Sequence, residues 1–279
     1  MAIHIIVDST ADLFPQDQSR VMTVPMVVRF GETEYVDGVT ITTEEFYKKL
    51  VQSEVLPTTS QATPNTFGEI FSQVPAEDTA VMLTLSSTLS GTYQSACIAA
   101  ADFENIYVVD SLSATIGIGV LAHRAFELIE EGLDAAAIAE KLDQEKQDLR
   151  VMASIDTLEY LKKGGRISSA VAIAGALLNI KPLLSVVDGQ LGIPGKARGA
   201  KQAGSMVVSE MEKTGGVDFS RPVMLGYCGN DPQPLANFVE ETGERWIPEG
   251  VQLPQTIIGS VIGTHVGPGA YAVGFFKKN

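Results

Sequence analysis

Residues 79–92 read Thr79-Ala80-Val81-Met82-Leu83-Thr84-Leu85-Ser86-Ser87-Thr88-Leu89-Ser90-Gly91-Thr92, a short apolar run that gives way abruptly to hydroxyls and a glycine. The run from Ala80 to Leu85 does not alternate with polar residues, so it suits a strand buried on both faces, as in a parallel sheet. Two other runs in the first half end the same way: Ile3 to Val7 leads into Asp8-Ser9-Thr10, and Ile106 to Val109 into Asp110-Ser111. Helical patterns lie between and after them, at Thr43 to Ser53, Tyr93 to Ala101, Ala114 to Glu131 and Ala135 to Leu149. Strands alternating with helices predict βαβ units with right-handed crossovers and an α/β fold.

The second half has a different pattern. Leu158 to Lys163 predicts a helix stopped by Gly164-Gly165, and Val171 to Asn179 another short helix. Leu183 to Val187 and Leu191 to Ile193 flank Asp188-Gly189 as a hairpin. Gly199 to Lys213 reads as a helix; Val223 to Tyr227, Thr256 to Val261 and Ala270 to Phe276 read as strands. The expected division is a first domain at 1–150 and a second at 151–279, with late strands free to return to the first.

The 279 residues have a net charge of −14, unevenly spread. Residues 1–150 hold 23 acids and 8 bases, whereas 151–279 hold 11 acids and 12 bases. Such a chain is a poor general binder of nucleic acid or anionic membrane, since both reward Lys and Arg. A local basic cluster does occur, at Lys162, Lys163, Arg166, Lys181, Lys196, Arg198 and Lys201, interrupted only by Asp188. It reads equally as a solvated surface or as an anion-handling or docking face. Cys97 and Cys228 form no CxxC pair or secreted disulfide framework. The start lacks a basic leader region, and the apolar stretch from Ala170 to Val187 is broken by Asn179, Lys181 and Pro182. A cytoplasmic protein without a membrane span is expected.

Ligands of open parallel sheets bind beyond the carboxyl ends of the strands. Ser9 and Thr10, Ser86 to Thr92, and Ser111 all follow strand runs, and Thr58 to Pro64 is expected to be a hydroxyl-rich loop. Hydroxyls and loop N–H groups there can hold an oxyanion, although N-capping alone accounts for any one cluster. Among the three histidines, His4 falls in a strand run and His123 in a helix, whereas His265 falls in an expected exposed Gly-Pro turn. No GxSxG elbow, Walker loop, Rossmann fingerprint or HExxH metal spacing is present.

Asp8 to Leu13, Thr59-Ser60-Gln61, Leu85 to Ala96 (LSSTLSGTYQSA), Tyr160 to Ser168 (YLKKGGRIS) and His265 to Ala270 (HVGPGA), in this order, resemble the DegV family from end to end. Ala62 departs from the Pro that many members carry after the Gln. The resemblance implies a three-layer α/β/α domain with a short parallel sheet, a two-layer α/β domain with a mixed sheet, and a long-chain fatty acid between them. It implies no metal and no cofactor beyond that ligand. It further implies a non-catalytic protein that presents the bound carboxylate to a fatty acid kinase subunit for acyl-phosphate formation. On this chain, Thr59 or Ser60, together with Ser90 and the adjoining Gly91, would hold the carboxylate. His265 and Arg166 would lie near the head group, Arg198 would extend the docking face, and residues around Ile173, Leu177 and Leu178 would line part of the tail tunnel. Two other functions stay open: a hydrolase or phosphotransferase using Ser90 with His265, and a lipid-sensing regulatory module.

Overall fold

The computed structural model describes residues 2–167 and 179–278. The first half runs β1 (Ile3–Asp8), β2 (Val21–Val24), β3 (Val27–Phe30), β4 (Thr33–Val36), α1 (Thr43–Gln52), β5 (Thr58–Ser60), α2 (Pro64–Phe71), β6 (Thr79–Thr84), α3 (Thr92–Ala100), β7 (Ile106–Asp110), α4 (Ile116–Glu130) and α5 (Ala135–Glu145). The second runs β8 (Leu149–Ser154), α6 (Glu159–Lys163), β9 (Ile180–Val187), β10 (Gln190–Arg198), α7 (Ala200–Lys213), β11 (Val223–Tyr227), α8 (Gln233–Trp246), β12 (Gln255–Ile257), α9 (Ser260–Val266) and β13 (Tyr271–Phe276).

The three runs read as buried strands are β1, β6 and β7, which join β2 in a parallel sheet of order β2-β1-β6-β7. Ile6, Val81, Met82 and Leu83 are completely buried because helices cover both faces. Helices α2 and α3 pack together on one face, and α4 and α5 on the other. The second sheet is mixed, in the order β10-β9-β8-β13-β11-β12, with only β11 and β12 parallel. Helices α7 and α8 cover its outer face. Along β13 the side chains divide by parity: Tyr271, Val273 and Phe275 join the core under α7 and α8, while Ala272 and Phe276 join the larger core shared with the first sheet.

Helix α4 lies between the sheets and packs on β1 and β6 of one and on β8, β11 and β13 of the other. Ten of its 15 residues are buried, because its sequence IGIGVLAHRAFELIE is apolar around most of its circumference. Its glycines are needed for this fit: a Cβ on Gly119 would stand 2.1 Å from the Asp12 carbonyl oxygen. Opposite it, Gly226 and Gly274 leave room for the Ile116 side chain.

Several expectations are corrected. Thr58 to Pro64 is not a loop: Thr58–Ser60 pairs with β3 in a small antiparallel sheet, and Thr63 caps α2 with Pro64 in its first turn. The expected strand from Thr256 to Val261 stops at Ile257, and Ser260 begins α9. Its apolar residues suit either element, and the break falls at Gly259. Strands β11, β12 and β13 all stay in the sheet that β8 enters; helix α9 is what reaches back onto α1, β3 and β5. The expected helix at Val171 to Asn179 and the tunnel positions Ile173, Leu177 and Leu178 lie outside the described residues, apart from Asn179 in a turn. Among the described residues, no helix is long and apolar enough to cross a membrane.

Candidate functional site

A cavity of about 240 Å³ lies between the carboxyl ends of the parallel strands and the inner face of the mixed sheet. The loop after β6 contributes Leu85 and Leu89, while β8 and β9 contribute Val151, Ala153, Leu184 and Val186. Polar groups join this apolar wall at Thr59, Gln61, Ser90, Arg166 and His265. The expected residues Thr59, Ser90, Gly91, Arg166 and His265 therefore all reach one cavity. Ser60 does not: one step along β5, it is exposed and absent from the lining, because successive strand side chains face opposite ways.

His265 occupies the last turn of α9, ahead of the Gly267-Pro268-Gly269 turn, and is not on an exposed loop. Its Nε2 is 2.9 Å from the Thr59 hydroxyl oxygen, while its Nδ1 is buried with no hydrogen-bond partner among the described residues. A proton on Nδ1 would be a buried donor without an acceptor, so the favoured tautomer carries its proton on Nε2. Burial, reinforced by the Arg166 guanidinium, pushes the His265 pKa down to about 4, and the ring is neutral at pH 7. Arg166 itself is exposed and donates to the Gly164 carbonyl at 2.7 Å and, more weakly, to the Leu89 carbonyl at 3.4 Å.

Ser90 Oγ is 2.8 Å from the Thr92 hydroxyl and not paired with His265, so the serine–histidine dyad of the hydrolase reading is not formed. Gln61, two residues from Thr59 and on the same side of the chain, donates its amide to Ser95 Oγ at 3.0 Å. Its carboxamide lies over Gly91, where a Cβ would stand 2.4 Å from Oε1. Gln61 follows β5 directly, and its spacing of two residues from Thr59 is the sequence signal that both reach the cavity.

The other hydroxyl clusters have structural partners. Thr10 and the Leu85 N–H donate to the buried Asp8 carboxylate, and Ser9 Oγ accepts the Met26 N–H. Ser86 Oγ donates to the Gly189 carbonyl at 3.0 Å, and Thr88 Oγ1 donates to the same oxygen. Ser111 Oγ donates to the Ser113 carbonyl. Thr115, which lines the cavity, donates to Asp12 at 2.5 Å, and Asp12 also accepts the Gly259 N–H at 2.8 Å. Asp37 receives the Ser260 hydroxyl. These buried carboxylates thus fix the cavity walls without lining the cavity themselves.

Fold and site together define an α/β protein with an interlayer cavity whose walls are largely apolar and whose lining includes the hydroxyls of Thr59 and Ser90 and the imidazole of His265. The DegV family model, described as an uncharacterised protein family, matches residues 2–278, and this chain belongs to the DegV family. A DegV domain-containing protein of Caldanaerobacter subterraneus subsp. tengcongensis is 35% identical over 282 residues, covering 99% of each chain. A fatty acid-binding DegV family protein from Thermus thermophilus is 34% identical, with a TM-score of 0.86 over 100% of both chains. A stearic acid-binding protein from Eubacterium ventriosum is 30% identical, with a TM-score of 0.86 over 100% of this chain and 99% of the other.

Proposed function

We propose that the chain binds a long-chain fatty acid between its halves, 1–150 and 151–279, and presents the carboxylate to a fatty acid kinase. The observation that carries the reading is the amphiphilic cavity: Val151, Leu184 and Val186 on its walls, and Thr59, Ser90 and His265 among its polar groups. Solved relatives that bind fatty acids at 30–34% identity support the ligand class.

Burying about 15 methylenes at roughly 0.8 kcal/mol each supplies about 12 kcal/mol of gross driving force, reduced by ordering and desolvation. Hydroxyl contacts to the carboxylate add about 1.5–3 kcal/mol each, so they orient the head more than they retain the ligand. With the His265 proton on Nε2 given to Thr59 Oγ1, the Thr59 hydroxyl hydrogen is free to point at the carboxylate. Ser90 supplies a second such donor. Neutral donors leave the carboxylate nucleophilic towards a phosphoryl group, whereas a buried bidentate Arg would mask it. Arg166, exposed at the rim, raises the local concentration of an anionic partner surface or nucleotide.

Native mass spectrometry of the purified protein tests this reading. A co-purified acid of several hundred daltons, phosphorylated only when kinase and ATP are added, is the expected result. A protein that neither carries nor takes up an acid overturns the binding reading, and acyl phosphate formed without a kinase restores the enzymatic one.

A further inference from the structure

We infer that Ser86 and Thr88 are positioning residues: they latch the tip of the β9–β10 hairpin onto the loop after β6 and so hold Ser90 in place. The inference rests on the fatty acid reading for its function and on geometry for its existence. Neither residue lines the cavity, so any effect on a ligand passes through another group.

Ser86 is completely buried and is bonded in three directions. Its N–H donates to the Ser113 carbonyl at 2.9 Å, its hydroxyl to the Gly189 carbonyl at 3.0 Å, and its own carbonyl accepts the N–H groups of Leu89 at 3.0 Å and Ser90 at 3.2 Å. The residue that receives the hairpin tip is therefore the one that holds the Ser90 backbone. Thr88 doubles the grip: its hydroxyl donates to the same Gly189 carbonyl, and its N–H donates to Ser86 Oγ at 3.3 Å.

The hairpin tip is shaped for this contact. Gly189 has φ +78° and lies so close that a Cβ would stand 2.7 Å from Ser86 Oγ and 3.0 Å from Leu112 Cδ2. Asp188 before it also has a positive φ, 50°, and its carboxylate lies 3.9 Å from the Arg150 guanidinium. The two hairpin strands contribute Leu184, Val186 and Leu191 to the cavity. One carbonyl thus couples the hairpin wall in the second half to the head-group loop in the first. Releasing it frees the wall and Ser90 together.

Thr88 is exposed, so Thr88→Val removes one donor at little risk to folding. Stopped-flow displacement of a fluorescent polyene fatty acid should show dissociation faster by roughly fivefold to tenfold, the size of one lost hydrogen bond. Thr88→Ser should restore the wild-type rate. Thr242→Val, which loses a buried hydroxyl bond to Phe238 in the outer core, controls for general destabilisation. Native-state hydrogen exchange at the Leu89 and Ser90 amides should accelerate in Thr88→Val with or without acid. Unchanged exchange there, an equally fast Thr88→Ser, or an equal effect of Thr242→Val overturns the latch. Failure of the wild-type protein to bind the polyene acid, with the amides still loosened in Thr88→Val, overturns the fatty acid reading and leaves the latch standing.

Discussion

Gly164 lies against the imidazole of His265 so closely that a methyl group on its Cα would stand 2.2 Å from Nδ1 and 2.8 Å from Cε1. The two residues are far apart in the chain, yet the stop after α6 is what sets the ring over Thr59. Gly164→Ala should tilt the imidazole and break the contact with Thr59. Acid binding by calorimetry should weaken about tenfold or more, the scale of a lost hydrogen bond to a charged group. Gly165→Ala, next to it at φ +71° but with no atom of the described residues within 4 Å of its Cβ position, should cost stability without that loss.

Ser90→Ala should weaken acid binding by about 1.5–3 kcal/mol while lowering stability by no more than about 1 kcal/mol, because it removes a half-buried hydroxyl and leaves no apolar void. Calorimetry and thermal unfolding on the same sample separate the two effects. Unchanged ligand exchange and unchanged phosphorylation would remove Ser90 from the head-group site.

Arg166→Glu should reduce kinase-coupled turnover more than acid retention, since the side chain is exposed at the rim and, among the described residues, donates to the Gly164 and Leu89 carbonyls. The same change should raise the His265 pKa above about 4, because the positive charge that disfavours the imidazolium is replaced by a negative one. Nuclear magnetic resonance titration of the ring reads this directly. Equal loss of turnover and retention would make Arg166 a ligand anchor.

Asp12 makes stability depend on pH. Burial raises its pKa from 3.8 to about 7, against the opposing hydrogen bonds from Thr115 and Gly259, and Asp37 adds to the rise. A group held protonated in the folded state contributes stability that is complete below 3.8 and is lost as pH rises through about 7. Asp8 and Asp37 are raised in the same direction, also mainly by burial. Asp12→Asn, which keeps the shape and removes the titration, should flatten this part of the unfolding free-energy profile; an unaltered slope would show that Asp12 is ionised throughout.

The parallel sheet was legible because β1, β6 and β7 are buried on both faces, and such strands show as unbroken apolar runs. Thr59 and Ser60 could not be told apart from composition; only pairing with β3 fixed which faces the cavity. Ser86 and Ser90 looked alike in the sequence, yet one grips a carbonyl 103 residues away while the other lines the cavity. Helix α9 was obscured because Gly259 and Gly263 weaken its local helical signal, and its stability comes from packing on α1, β3 and β5. Gly263 is itself required there: a Cβ would stand 2.6 Å from the Tyr47 hydroxyl.

Helix α4 belongs to both sheets at once, and this constrains how the molecule can be divided. Severing the chain near Asp148 would strip the mixed sheet of the rod whose Ile116 plugs into it beside Gly226 and Gly274, and would leave a greasy flank on the amino-terminal fragment. Neither piece should be soluble when produced alone. Produced together, they should reassemble on that rod, which makes the protein a ready split reporter whose complementation requires no added interface.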